Sequence, residues 1–256
     1  MEYYGISDVG NLREKNEDNF IEGLKVNDII VSGVADGMGG HYGGDVASEI
    51  AVKTIREYIL AQNIETESDF SKDKLAKYVR QAVERANKDI MSYKQQNPEF
   101  LEMGTTVTLG IFLENKGVIA HVGDSRAYII NSEAGISQIT TDHSLVNQLY
   151  QQGKISSETA ESHPQKNILT RALGTDYELQ VDIEKLEIPD GSAVLFATDG
   201  LTDNLSDQEI FDILAEEQDY KNACEKMLTL SKQRGGHDNI KVTIVSNSDI
   251  AGIIKR

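Results

Sequence analysis

The order of its patterned segments limits the folds open to this chain more than any other feature. DIIVSGVA (28–35) is a compact apolar run of strand type that ends at Asp36. After a glycine-rich stretch, Val46, Ile50, Ile55 and Ile59 keep helical spacing. A second helix is expected over 72–95, where Leu75, Tyr78, Val79, Ala82, Val83, Ala86, Ile90 and Tyr93 form one stripe. TTVTLGIF (105–112), GVIAHVG (117–123) and SRAYII (125–130) are short and closely spaced, which suggests an antiparallel meander. VDIEKLEI (181–188) and SAVLFATD (192–199) read as a hairpin turning at Pro189, Asp190 and Gly191. Two amphipathic helices are expected at 207–217 and 220–233, and KVTIVS (241–246) closes the pattern as a strand. Helices thus come in adjacent pairs and strands in clusters. That order suits an α+β fold in which antiparallel sheets are faced by helix pairs. A parallel doubly wound sheet needs strict alternation and fits less well.

The aspartates fall at the ends of these runs. Asp36 ends one strand and Asp199 another, Asp124 lies between two, and Asp238 immediately precedes the last. Asp18 stands beside Glu17 near the N-terminus. Taken alone, each reads as a turn residue, because Asp and Gly are ordinary turn formers. Strand ends of one sheet can converge at one edge, so five together point to a shared carboxylate site. Clustered carboxylates repel unless a cation compensates them. Oxygen ligands without thiols favour Mg²⁺ or Mn²⁺. An EF-hand does not fit: with Asp199 as the first loop position, the twelfth is Ile210 rather than glutamate. There is no P-loop and no Gly-x-Ser-x-Gly elbow.

Composition removes several classes. A net charge of −17 disfavours nucleic acid and anionic membranes as partners. The single cysteine, Cys224, excludes an intrachain disulfide and is expected to pack in a helix face. With 3 prolines and no linker-like segment among 256 residues, one domain spanning 1–256 is expected. No secretory leader or membrane-length apolar run is evident, so a cytoplasmic protein is expected.

RxxxED from Arg13, DGMGGH from Asp36, GDSR from Gly123, ATDGLTD from Ala197 and GHDNIKV from Gly236 together resemble the motif set of the metal-dependent serine/threonine protein phosphatases of the PPM (type-2C) family, bacterial branch. The resemblance implies a β-sandwich of two antiparallel sheets flanked by pairs of helices, a four-layer α-β-β-α arrangement. It also implies a small flap subdomain, matched here by the weakly patterned segment 140–173. It further implies two tightly bound Mn²⁺ or Mg²⁺ ions. Asp36 would bridge them, the Gly37 carbonyl would ligate one, Asp199 and Asp238 would complete the shell of the first metal, and Glu17 and Asp18 would support the second metal, directly or through waters. Asp124 and Asp203 match positions of a third, weaker metal, and Arg13 matches a phosphate-binding arginine. Asp36 and Arg13 would therefore carry the catalysis. In the flap, Asp142, His143 and Ser144 are the candidates for shaping substrate access. Met38 stands where the animal branch has a histidine that protonates the leaving group, and His41 is the nearest alternative donor.

The implied chemistry is hydrolysis of phosphoserine and phosphothreonine in proteins by a metal-activated water. The implied partners are phosphoproteins and a cognate Ser/Thr kinase, and a monomer is expected. Two rival readings share the motifs. A metal-dependent phosphohydrolase would prefer small phosphate esters. A regulatory phosphatase-like binding module would lack metal ligands, and none is lacking here.

Overall fold

The structure, a computed structural model, describes residues 1–39, 43–62, 64, 71–217 and 219–247. In chain order the strands are β1 (Glu2–Asp8), β2 (Asn19–Val26), β3 (Ile29–Ala35), β4 (Gly37–Met38), β5 (Gly104–Thr105), β6 (Val107–Leu113), β7 (Lys116–Val122), β8 (Arg126–Asn131), β9 (Gly135–Gln138), β10 (Asp182–Glu187), β11 (Ser192–Ala197) and β12 (Ile240–Ser246). The helices are α1 (Gly44–Leu60), α2 (Lys72–Gln96), α3 (Leu145–Gln151), α4 (Ser157–Glu161), α5 (Asp199–Thr202), α6 (Asp207–Glu216) and α7 (Tyr220–Gln233).

Two five-stranded antiparallel sheets, β1-β12-β11-β8-β9 and β10-β7-β6-β3-β2, stack face to face. Side-chain parity explains the layering. On β3, Ile30 and Val34 enter the layer between the sheets, while Ile29, Val31 and Ala35 meet α1 and α2. On β12, Val245 points inward, while Ile240, Val242 and Ile244 meet α6 and α7. Central strands are therefore buried on both faces, which is why they read as unbroken apolar runs. Phe112 and Phe196 meet edge-to-face between the sheets at 6.1 Å. Truncating Phe196 to alanine is expected to cost about 3–5 kcal/mol. The helix pairs are amphipathic for the same reason, and α6 starts with a reciprocal cap between Ser206 and Glu209. Cys224 is buried in the α7 face, as expected for a packing residue.

Two pairings differ from the sequence expectation. β6 and β7 form a hairpin, but β8 leaves for the other sheet and pairs with β11, so there is no three-strand meander. Gly123, at φ +118, sits at this crossing with the position of its missing Cβ against Thr106. Likewise β10 and β11 do not form a hairpin: β10 pairs with β7 and β11 with β8 and β12. In both places a short loop can carry the chain across the sandwich as readily as around a hairpin, and packing selects the crossing. β1 and β2 have no counterpart in the sequence reading. Both are partly exposed, with charged or glycine residues interrupting the alternation.

Candidate active site

Strand pairing delivers the acidic residues to one end. Asn19 pairs with Ala35, which leaves Asp18 and Asp36 side by side beyond the last rung. Ala197 pairs with Val242, so Asp199 and Asp238 emerge nearby in the other sheet. The Thr198 hydroxyl joins the two sheets by donating to Asp18 Oδ2 at 2.8 Å. Asp124 lies in the crossing from β7 to β8.

The backbone here is held from several sides. Thr106 N and Thr105 Oγ1 donate to the Asp36 carbonyl at 2.8 and 2.9 Å, and Asp36 N donates to Thr106 Oγ1 at 3.0 Å. Thr106 Oγ1 is also 2.7 Å from Ser125 Oγ, beside Asp124. Gly37 is required by contact: a Cβ there would lie 2.1 Å from the Gly44 carbonyl oxygen and 2.6 Å from that of Glu17. The glycines after Asp36 thus let the strand end, the start of α1 and the Glu17 loop close on one another. Buried Asn239 ties the N-terminal loop down, accepting from Glu17 N at 2.8 Å and donating to the Val9 and Lys15 carbonyls at 2.8 and 2.9 Å.

The electrostatics are those of repelling neighbours. Asp36 is pushed well above the usual carboxylate range by burial, then by Asp18, Asp199, Asp124 and Asp238. Asp124 is raised by burial and by Asp199. Burial raises Asp18 to about 7, against the Thr198 hydrogen bond and the charge of Lys241. Burial, Asp238 and Asp203 raise Asp199 to about 6. Glu17 is raised by burial and Asp45. Arg13 pairs with Asp238 at 2.7 Å at the exposed rim. Among the described residues these side chains line a shared acidic end without three of them closing into a complete ligand cage. They nevertheless suit divalent cations: Asp199 Oδ1 is buried with no hydrogen-bond partner, all the candidate donors are hard oxygens, and the repulsion calls for positive charge.

Asp203 lies on the α5 side and pairs with Lys166 of the flap. The flap contains α3 and α4, and its root is anchored by the three residues singled out from the sequence. Asp142 takes a two-pronged bond from Arg126, with Nη2 to Oδ2 at 2.7 Å. His143 and Gly123 exchange bonds, His143 N to the Gly123 carbonyl at 2.7 Å and Gly123 N to His143 Nδ1 at 3.0 Å. Ser144 caps α3. These side chains hold the flap to the body. A groove of 760 Å³ runs between flap and body to the acidic end, lined among others by Asp124, Arg126, Asp142, Lys166, Asp199 and Asp203. His41 lies outside the described residues, and Met38 is in β4.

Residues 13–241 match the family model described as Protein phosphatase 2C. This chain belongs to the protein phosphatase 2C family. The Listeria monocytogenes serine/threonine phosphatase stp is 36% identical over 241 residues, covering 93% of each chain. The structure of serine/threonine phosphatase Stp1 from Staphylococcus aureus superposes with a TM-score of 0.88 at 33% identity, over 96% of this chain and 95% of that one. The catalytic domain of the phosphatase PstP, solved in complex with two manganese ions, gives 0.79 at 29% identity over 95% and 96%. The chain is a serine/threonine protein phosphatase, and its catalysis is metal-dependent. The sequence reading missed the connectors Thr106, Ser125 and Thr198, and also Lys241. Ser125 and Thr198 lie inside the GDSR and ATDGLTD motifs, and Lys241 left its own signal, a charge within an otherwise buried strand.

Proposed function

We propose that the acidic end is the phosphatase's catalytic centre and that it holds two divalent cations, Mn²⁺ or Mg²⁺. Asp36, the Gly37 carbonyl, Asp199 and Asp238 would hold one cation, with Asp36 shared by the other, which Glu17 and Asp18 would support. The observation that carries this reading is the buried, unpartnered Asp199 oxygen among carboxylates that raise one another's pKa. Such cations supply Lewis acidity, which makes water a nucleophile near neutral pH and offsets charge on phosphoryl oxygens.

The chain's own residues do the rest. Arg13, at the rim, presents a planar fork suited to two phosphate oxygens and orients the phosphoryl group for in-line attack. Asp124 and Asp203, which line the groove, would hold a weaker, third cation. Phosphoserine and phosphothreonine release a poor leaving group, so the departing oxygen needs a proton. Met38 stands where animal-branch relatives carry a histidine, so His41 is the nearest side-chain alternative and water is the proton source that this reading favours. The groove beneath the flap takes the chain flanking the phosphoresidue, with Asp142, His143 and Ser144 setting the flap's position. We further assign the enzyme to the cytoplasm, as a monomer opposing a Ser/Thr kinase. No described helix is long and apolar enough to cross a membrane.

The test is hydrolysis of a phosphothreonine peptide, a phosphotyrosine peptide and small phosphate esters with Mn²⁺, with Mg²⁺ and with a chelator. Turnover of the phosphothreonine peptide that needs metal, with little on phosphotyrosine, is expected. Full turnover in chelator would end the two-cation reading. A preference for free esters would favour a small-molecule phosphohydrolase.

A further inference from the structure

β12 alternates strictly, with Ile240, Val242 and Ile244 facing α7, so Lys241 and Thr243 point between the sheets. Lys241 is thereby buried at 3% exposure in the floor of the acidic end. Its Nζ donates to the Asp18 carbonyl at 2.6 Å and stands 4.5 Å from the centre of the Phe20 ring. Its backbone N donates to Thr198 Oγ1 at 3.0 Å, the same hydroxyl that donates to Asp18 Oδ2. Among the described residues it makes no direct ion pair, so its charge faces the carboxylate group as a whole. The other nearby cations are committed elsewhere: Arg13 to Asp238 at the rim, Lys166 to Asp203, and Arg126 to Asp142. Burying an ammonium costs several kcal/mol unless negative charge offsets it. A neutral donor would satisfy the Asp18 carbonyl equally well.

We propose that Lys241 is a positioning residue that acts as the internal counter-cation of the acidic centre, stabilising its carboxylates from below and limiting its affinity for divalent ions. The inference rests on the catalytic reading above, since it assumes that cations bind among these carboxylates. A fixed ammonium beneath Asp18 and Asp36 repels an incoming divalent ion. The same charge stabilises the carboxylates when fewer ions are bound. Lys241 therefore trades tight binding for a centre that holds together across metal concentrations.

The experiment compares wild type, Lys241→Met and Lys241→Arg at fixed pH. The measurements are Tm in chelator, Tm in saturating Mn²⁺, and Mn²⁺ affinity by calorimetry. Lys241→Met should lose Tm in chelator, gain more Tm from Mn²⁺ than wild type, and bind Mn²⁺ about tenfold more tightly. Lys241→Arg should keep the wild-type affinity. An equal loss of Tm in chelator and in Mn²⁺, with unchanged affinity, would make Lys241 a mere hydrogen-bond donor and overturn the proposal. If Lys241→Met does not fold in chelator, Asp18→Asn/Lys241→Met removes one charge of each sign and should fold there. Failure of that pair to recover would also overturn it. Wild type that gains no Tm from Mn²⁺ would instead remove the catalytic reading, and this inference with it.

Discussion

At the flap's root and the start of β10, Asp142 and Asp182 both have cationic partners from their own chain. Asp142 is gripped by Arg126, and Asp182 takes Arg171 at 2.7 Å and His143 at 3.1 Å. At the acidic end, Asp199 leaves a buried oxygen without a partner, and Asp36 is surrounded by like charges. The two regions use the same side chain under opposite conditions. Burial raises Asp182, yet its bonds to Arg171 and His143 hold it below the usual range, whereas burial and neighbours drive Asp18, Asp36, Asp124 and Asp199 above it. Asp142 and Asp182, held by cations of the chain, tie architecture together, whereas Asp36 and Asp199, crowded by like charges, are suited to a cation from solution.

Substitutions at the acidic end should show the largest contrast. Asp36→Asn and Asp199→Asn are each expected to lower kcat/KM by at least about 100-fold and to reduce the Tm gained from Mn²⁺. Asp142→Asn should keep that gain. A wild-type rate in Asp36→Asn would break the comparison at its centre.

At the flap, Arg126→Met leaves Asp142 partly buried without its cation. A loss of about 1–2 kcal/mol in denaturant unfolding is expected, with KM changing more than kcat. A loss of kcat alone would mean that this pair acts on the reaction rather than on the flap.

pH separates the regions by sign. Asp18 near 7 and Asp199 near 6 have folded pKa values above the unfolded carboxylate value. Their contribution to stability is fully present below the unfolded value and is lost as pH rises through the folded one. In chelator, Tm should therefore rise as pH falls from about 8 to about 5. Asp182, whose folded pKa is depressed, works the other way: its contribution is present above the unfolded value and lost as pH falls through the folded one. Saturating Mn²⁺ should flatten or reverse the first trend, and the same slope with and without Mn²⁺ would count against cation binding among these groups.

The smallest effect is expected at His41. His41→Ala should slow a phosphothreonine peptide and nitrophenyl phosphate modestly and about equally if water supplies the proton, because loss of a general acid would show on the peptide but not on a nitrophenolate that leaves without help. A loss confined to the peptide, with unchanged Mn²⁺ affinity, would make His41 the acid.

Much of this architecture could be read from residues alone. Helical stripes located α1, α2, α6 and α7 closely, and the five acidic motifs pointed to carboxylates at strand ends. The helices inside the flap were hidden, because α3 and α4 are short and their segment is polar. β1 and β2 were hidden by partial exposure and by interruptions such as the bulge between Ile21 and Leu24.

The sequence by itself determined where carboxylates and glycines fall along the chain, and which segments can bury a face. Tertiary structure alone decided that β8 crosses to the second sheet, that β10 and β11 part, and that the His121 and His143 rings meet at 4.6 Å, tilted by 39°. It also decided that Lys241 points beneath Asp18 rather than toward α7. The reason is physical. Backbone hydrogen bonds are the same for every residue, so they do not name a strand's partner. A strand buried on both faces also carries no polarity that tells one face from the other. Only the packed sandwich, with its helices outside and its acidic end open, distinguishes them.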